Sequence, residues 1–547
     1  MSRFALVLAA SAAALAVGPA AGAAPVPACA TGCFAAPAGS GALFIFTGHG
    51  YGHGVGMSQY GAFGYAQHGS TYQQILAHYY PGTTLGHVPA TTIRVLLANG
   101  AKTLTLTSAK PFSVVDADGG KHKLAAGTIS LDSGLKLAVD GAASPTALTG
   151  PLTFVPAAGA PLTLKRPYRG KIQVDVVSGH LRAIDLVGLE PYLDGVVPSE
   201  MPSNWAPAAL EAQAVAARSY ALATRRVGAP FDVYPDSRDQ VYFGLSNESP
   251  ATTAAVAATK GQVVLFDGKV ATTYFSSTSG GETESSLDWK GVAVPYLVSV
   301  PDPYDSISPY HDWGPVAVTA KAIAKALKMK GSITDVTTTP DAAGRVGLLD
   351  LVTGTSDVSV PAATLRAALG LRSTWFDVGV LALDAAQTNA VPYGSKVSLT
   401  GTVRGLAGVK LEQRPAGGSW QSVSAVSSSS GPVTMSAKPT KTTDYRLATT
   451  VAAAPSVRVR VMPAVTVSVA TTAEIAGSVR PALPGAPVRV ERQAAGGAWT
   501  TAVSGSAAAD GTFDLPVRLA AGATYRVVVA PGNGYAQATT QPQVLPG

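Results

Sequence analysis

The sequence predicts an α+β fold, with a β-rich core followed by two all-β sandwich modules. Three observations carry that prediction. Only 13% of the residues are charged and 47% are apolar, with 58 Gly and 39 Pro, a composition of turn-rich globular domains rather than of a coiled coil or a disordered polyelectrolyte. Short alternating apolar and polar runs recur along most of the chain, and its last third contains an internal repeat. At 547 residues, and roughly 150 residues per domain, three or four domains are expected.

The chain opens with Arg3, an apolar run from Phe4 to Val17, and the small-residue site Ala21-Gly-Ala23, the three-part layout of a secretory signal peptide over residues 1–23. A membrane anchor is the competing reading, but about 14 apolar residues fall short of the roughly 20 that span a bilayer. No later stretch is long enough to span. Residues 24–42 read as a flexible leader containing the only two cysteines, Cys29 and Cys33. An exported chain can close the small loop between them, or use Cys29 for lipid attachment, although Val26-Pro-Ala28 is a poor approach for that; two cysteines are too few for a disulfide framework.

The core is expected over residues 43–380. Alternating runs such as Ile93-Arg-Val-Leu-Leu97 and Ile172-Gln-Val-Asp-Val-Val177, punctuated by Asp-Gly and Gly-Gly, make residues 93–187 mostly strand. Helix signals are confined to residues 71–80, 207–226, 320–329 and 361–369. The second has the clearest start: Ser203 and Asn204 as caps, Pro207 in the first turn and Glu211 near the positive end of the dipole. Its Ala-rich body can approach its neighbours closely and hold whatever precedes it firmly.

Past residue 385, Val409-Lys-Leu-Glu-Gln-Arg-Pro-Ala-Gly-Gly-Ser-Trp420 returns as Val488-Arg-Val-Glu-Arg-Gln-Ala-Ala-Gly-Gly-Ala-Trp499, and Tyr445-Arg446 returns as Tyr525-Arg526. Two copies of one module follow, residues 385–462 and 463–547. Short strands with turn signals about every 8 to 12 residues make each an immunoglobulin-like sandwich. The net charge of +7 is concentrated here: residues 385–547 hold 14 Lys/Arg against 6 Asp/Glu, and the preceding residues 26 against 27. On an exported protein such a surface suits anionic wall polymers, although scattered charge also serves solubility alone. Nucleic acid is disfavoured by compartment.

Two motifs are rich enough to carry chemistry. The first, Phe46-Thr-Gly-His-Gly-Tyr-Gly-His-Gly-Val-Gly-Met-Ser-Gln-Tyr-Gly-Ala62, alternates glycines at 48, 50, 52, 54 and 56, which permit positive φ or close backbone approach. It completes no Gly-x-Gly-x-x-Gly register and leads to no Gly-Lys-Ser/Thr, which removes a phosphate cradle. His49 and His53 lack a nearby Cys or carboxylate partner in sequence, so a metal site is not expected. The second motif, Leu189-Glu-Pro-Tyr-Leu-Asp-Gly-Val-Val-Pro-Ser-Glu-Met-Pro-Ser-Asn-Trp205, sets Glu200 among Val196, Val197, Pro198, Met201, Pro202 and Trp205. Such surroundings desolvate a carboxylate and raise its pKa toward the range of a general acid. The bland alternative is a Glu that merely leads into a helix.

Together these segments resemble the stage II sporulation protein D family of peptidoglycan lytic transglycosylases, from about residue 44 to 376. The resemblance rests on Gly-Val-Val-Pro-Ser-Glu-Met-Pro (195–202), Glu211-Ala-Gln-Ala-Val-Ala-Ala-Arg-Ser-Tyr-Ala221, Asp239-Gln-Val-Tyr-Phe-Gly244, Ser276-Ser-Thr-Ser-Gly-Gly281, Pro295-Tyr-Leu297 and Gly-His-Gly-Val-Gly-Met-Ser-Gln (52–59). It implies Glu200 as the catalytic residue, at the family's Glu position. Relatives often place the Gly-His-Gly segment at the C-terminal end, so its position here looks like a circular permutation, feasible when termini lie close. Some relatives hold zinc through His and Cys near the Ser-Gly-Gly segment; here Tyr274-Phe-Ser-Ser-Thr-Ser-Gly-Gly281 offers neither, and no cofactor is expected.

The implied reaction cleaves the MurNAc-GlcNAc β-1,4 bond with one carboxyl group and needs no paired carboxylate; Glu190 and Asp194 then read as structural. His53, Ser58, Gln59, Tyr60, Arg218, Gln240, Tyr242, Ser279 and Gly280 supply the donors, acceptors and rings expected of a glycan groove, though Arg218 and Tyr242 also have ordinary explanations as a paired cation and a core ring. A related subgroup is described as modifiers of wall amidases, which makes a non-catalytic enhancer of an N-acetylmuramoyl-L-alanine amidase the alternative; the presence of Glu200 favours catalysis. A serine hydrolase using Ser58 or Ser279 lacks the Gly-x-Ser-x-Gly elbow.

Overall fold

The computed structural model describes residues 33–139, 144–354, 356–384, 389–427 and 430–545. The expected signal peptide and most of the expected leader, with Cys29, lie outside the described residues. Cys33 is disulfide-bonded.

The alternating runs of residues 93–187 form a sandwich. Six antiparallel strands, in the order Thr92–Ala101, His180–Gly188, Lys171–Val177, Leu152–Val155, Phe112–Val115 and Lys121–Leu124, face a four-stranded sheet built around Leu104–Ser108 and Leu162–Leu164. Inward residues such as Val95, Leu106, Phe154 and Ile172 share one core with Tyr192, Val196, Ala214 and Ala217 from two helices, so the sandwich is the floor on which those helices rest.

The helices are Leu189–Glu200 and Pro207–Thr224. The second begins where expected, but Ala206 is its cap and makes no side-chain hydrogen bond, so Ser203 and Asn204 do not cap it. The first is absent from the sequence-based expectation because Pro191, Gly195 and Pro198 break the helical pattern. Burial overrides that propensity: Tyr192, Leu193, Val196 and Val197 are fully enclosed. The helix at 71–80 forms as Tyr72–Tyr79, started by a Thr71–Gln74 capping box. Helices Gln59–Gln67 and Pro250–Ala258 were not expected from their Gly- and Ala-rich sequences.

Strand Leu43–His49 lies between Asp312–Thr319 and Phe376–Leu383, with Leu43 opposite both Thr319 and Leu381. The Gly-His-Gly motif therefore emerges beside the last strand of the core. That sheet continues without a break into Val397–Arg404 and Ser430–Ala437, strands of the first sandwich module. Its faces bury separate cores, Phe44 and Phe46 on one side, Leu43 and Ile45 on the other. One sheet thus runs across the expected boundary between residues 380 and 385, and residues 34–35, read as leader, add a parallel strand against Ala452–Ala453.

The repeat is a structural one. Glu412 stands opposite Arg446 and Glu491 opposite Arg526 in adjacent strands, paired at 2.7 and 2.8 Å, and each guanidinium lies over the repeat's Trp, Arg446 on Trp420 and Arg526 on Trp499. Tyr445 and Tyr525 are buried beneath. The second module closes its own core of Val488, Val490, Phe513 and Val527 between two sheets. Among the described residues no helix is long and apolar enough to cross a membrane.

Candidate active site

Glu200 is the last residue of helix Leu189–Glu200. It does not lead a helix, as its sequence position suggested, but ends one. That placement matters electrostatically, because the negative end of a helix dipole disfavours a carboxylate. Burial is the larger effect and pushes its pKa up to about 7, although part of the residue stays open to solvent. Two groups oppose the shift by favouring the charged form: the Val241 N–H, donated to Oε1 at 2.9 Å, and the side chain of Gln59. No neighbouring carboxylate contributes to the shift.

Gln59 reaches this spot because the Gly-His-Gly segment runs along the Ser-Gly-Gly segment. Met57 and Ser58 pair in parallel with Phe275 and Ser276, and isolated bridges join Tyr51 to Thr278 and Val55 to Glu284. The glycines permit the approach. Gly54 and Gly56 have φ of +78° and +72°, and a Cβ on Gly56 would stand 2.1 Å from the Tyr274 carbonyl oxygen. Ser58 then caps helix Gln59–Gln67, accepting the Gly61 N–H at 3.0 Å, and its Oγ donates to Asp305 at 2.6 Å. The helix delivers Gln59 against Gln213 of the Ala-rich helix at 3.4 Å, and Tyr60 edge-on to Trp205. Phe63 stacks on the same indole.

The remaining expected site residues fall into two groups. Arg218 is wholly buried, holding Glu190 through two bonds of 2.6 and 3.0 Å and the Gln262 carbonyl at 3.0 Å. Gln240 is enclosed between the Tyr192 hydroxyl and the Ala217 carbonyl, and Tyr242 is buried with its hydroxyl on Asp185 at 2.9 Å. These three have no surface to offer a glycan, which corrects their expected role. Arg218 and Gln240 instead fasten the two helices of the site to each other, and Tyr242 is tied to the sandwich strand that carries Asp185.

Ser279 and Gly280 are also buried, against Asp302 and Asp305. Ser279 Oγ donates to Asp302 at 2.8 Å, and the main-chain N–H groups of Ser279 and Gly280 donate to Asp305 at 3.0 Å each. Ser58, Ser279 and Gly280 are therefore scaffold, tied to two aspartates that sequence reasoning missed. Burial, and then Asp305, pushes the Asp302 pKa up to about 7. The readable signal was Pro301-Asp-Pro-Tyr-Asp305, two acids in a turn-rich segment.

His53 is stacked on Trp289 at 4.7 Å, with Nδ1 accepting the Val55 N–H at 3.0 Å. Burial, followed by Arg366, Arg345 and Lys290, pushes its pKa down to about 3, so its ring is neutral. His49 instead faces Asp312 at 2.7 Å. Among the described residues no three His, Cys, Asp or Glu side chains gather as a metal ion requires. Of the expected groove, Gln59 meets Glu200, Tyr60 next to it stands against Trp205, and His53 lies on the adjoining glycine-rich loop.

The family model described as SpoIID, Stage II sporulation protein, matches residues 177–266, a span that contains Glu200, Arg218, Gln240 and Tyr242. An uncharacterised protein of Brachyspira hyodysenteriae is 39% identical over 136 residues, 24% of this chain and 37% of its own. The amidase enhancer of Bacillus subtilis is 41% identical over 113 residues, 21% of this chain and 15% of its own. The stage II sporulation protein D of the same organism is 35% identical over 145 residues, 23% of this chain and 42% of its own. The chain thus spans less than half the length of these curated relatives. A two-domain fibronectin type III segment of chicken tenascin matches 30% of this chain and 97% of its own at 14% identity and a TM-score of 0.20, a likeness too distant to add to the strand pairing.

Proposed function

We propose that this chain, whose residues 177–266 match the stage II sporulation protein D family model and which resembles proteins of that name at 35% identity, is an exported peptidoglycan lytic transglycosylase that cleaves the MurNAc-GlcNAc β-1,4 bond with Glu200 as its one acid/base. The observation that carries this reading is a lone, desolvated carboxyl with a pKa of about 7 at the junction of the two motifs. A group of that pKa holds its proton at neutral pH on an appreciable fraction of molecules and can take it back, which is what a single residue acting twice requires.

In the first step the Glu200 carboxyl protonates the glycosidic oxygen, which leaves as the O4 hydroxyl of GlcNAc while positive charge develops at C1 of MurNAc. The Val241 N–H and the Gln59 side chain then stabilise the carboxylate just formed. In the second step that carboxylate removes the proton of the C6 hydroxyl, whose oxygen closes onto C1. The product is a 1,6-anhydro end, Glu200 has regained its proton, and no water enters the balance. Tyr60 and Trp205, both partly exposed, offer flat faces beside the acid on which a sugar ring can rest. The adjacency of strand Leu43–His49 to strand Phe376–Leu383 supports reading the N-terminal motif as a permuted family element.

The likeness to a protein named amidase enhancer favours a second reading, a non-catalytic wall-binding modifier of an amidase. Fragment release from insoluble peptidoglycan separates the two. The transglycosylase reading expects release by the protein alone, lost in Glu200→Gln. Release only when an amidase is added, at the same rate with Glu200→Gln, would favour the modifier.

A further inference from the structure

The two sandwich modules meet at a cleft of about 720 Å³, lined from the first module by Arg414, Asp444, Arg458, Arg460 and the Ala416–Gly418 turn, and from the second by Gly534–Ala536. The modules are joined there through the main chain, Thr442 N–H to the Gly534 carbonyl at 2.8 Å and Ala536 N–H to the Val461 carbonyl at 2.7 Å. The three arginines are exposed. Strand register explains their grouping: Asp444 lies directly opposite Arg414 on one neighbouring strand and Arg458 on the other. Both pair with it, at 3.1 and 2.7 Å. Arg460 makes no ion pair among the described residues, so the cleft keeps two positive charges beyond its one buried acid.

The internal repeat shows that this cluster is not part of the module's scaffold. The pairs Glu412–Arg446 and Glu491–Arg526, each under its Trp, occur in both copies. By the same register, Arg414, Asp444 and Arg458 correspond to Gln493, Thr524 and Val544, none of them charged. The module folds without the arginine cluster, and the copy that has it is the one whose cluster faces the junction.

We propose that this cleft binds a phosphodiester polyanion, one phosphate seated between Arg458 and Arg460 with Arg414 held ready by Asp444. Guanidinium groups present planar forks of N–H donors that match phosphate oxygens two at a time, and an anchoring carboxylate fixes such a fork without cancelling the cluster's charge. The half-buried Tyr535 walls the other side and offers a hydroxyl to the linking alcohol. The cleft lies outside the core, so a failure to bind here leaves the role of Glu200 untouched.

The test measures binding of the full chain to poly(glycerol phosphate), with poly-glutamate as a carboxylate polymer, across a salt series. The variants are Arg460→Ala, the double variant Arg458→Ala/Arg460→Ala, and Arg492→Ala/Arg518→Ala as a charge-matched change on the exposed surface of the second module. The expected result is salt-sensitive binding to poly(glycerol phosphate), weakened about tenfold by the cleft double variant and less than about twofold by the control pair. Arg460→Ala, which breaks no ion pair, weakens it in the same direction at an unchanged unfolding temperature. Equal losses in the two double variants, equal affinity for poly-glutamate, or no binding by the unaltered chain would overturn the proposal.

Discussion

Oε1 of Glu200 accepts the main-chain N–H of Val241 at 2.9 Å, linking the end of one helix to a loop 41 residues further on. A main-chain donor cannot rotate away, so the carboxylate is held in one orientation whether or not the groove is filled. Burial raises the pKa of that same group to about 7. One residue is thereby fixed in place and poised between its two protonation states.

The rate should fall as pH rises through about 7. In the proposed reaction protonated Glu200 is the form that starts the cleavage, and its fraction declines as pH passes the pKa of about 7. A pH profile of kcat/KM on soluble glycan strands should show this descending limb, whereas an ordinary exposed Glu would place it more than two units lower.

Stability should respond to the same group with a definite sign. A carboxyl whose folded pKa is raised contributes stability that is complete below about 4.5 and is lost as pH rises through about 7. Glu200→Gln removes that dependence. The variant should be more stable than the unaltered chain at pH 8, on the order of 2 kcal/mol after allowing for the residue's partial exposure, with the gain shrinking toward pH 5. Denaturant unfolding at both pH values checks it; because Asp185 and Asp302 are also raised to about 7, the comparison is of variant with parent, not of either alone.

Gln59 is a positioning residue in this account. Gln59→Leu keeps the apolar stem but removes the group that steadies the carboxylate, so the pKa of Glu200 should move further up and the descending limb of the pH profile should shift with it. Gln59→Glu would place a second acid beside the first and raise it more strongly. A lowered rate with the limb unmoved would make Gln59 merely a packing residue.

Arg218 should matter to folding and not to chemistry. Its side chain is fully buried against Glu190, and Arg218→Ala leaves that carboxylate facing a cavity, costing about 3–5 kcal/mol. Arg218→Met with Glu190→Gln should recover much of the loss, since volume is kept and no charge is stranded. Thermal melts of the two variants decide, and any protein that folds should retain the pH profile of its parent.

What the sequence revealed and what it hid have physical causes. Glu200 was legible because its apolar neighbours Val196, Val197 and Met201 are close in sequence and remain close in space. The helix that presents it was hidden by Pro191, Gly195 and Pro198, whose low propensity is outweighed by the burial of Tyr192 and Val197, a tertiary effect. Arg218, Gln240 and Tyr242 have side chains suited to sugar recognition, and residue type alone does not tell an inward-facing group from an outward-facing one; the partners that enclose them, Glu190, Tyr192 and Asp185, lie 28 to 57 residues away. Asp302 and Asp305 were missed for the same reason, as their contacts with Ser58 and Ser279 span 23 to 247 residues. The repeat marked both modules because Glu412–Arg446 and Glu491–Arg526 recur, but not that the first module shares a sheet with the core, which depends on Val380 meeting Arg404 across a chain reversal.

In the proposed reaction one carboxyl group, Glu200, both donates and recovers the proton in a cleavage without water. Mass spectrometry of glycan strands digested by the purified chain tests it most directly, on both intact and peptide-free strands and beside Glu200→Gln. The expected products are fragments ending in 1,6-anhydro-muramic acid from the unaltered protein and none from the variant. Fragments heavier by one water, with reducing ends, or anhydro products that persist in Glu200→Gln, would contradict it.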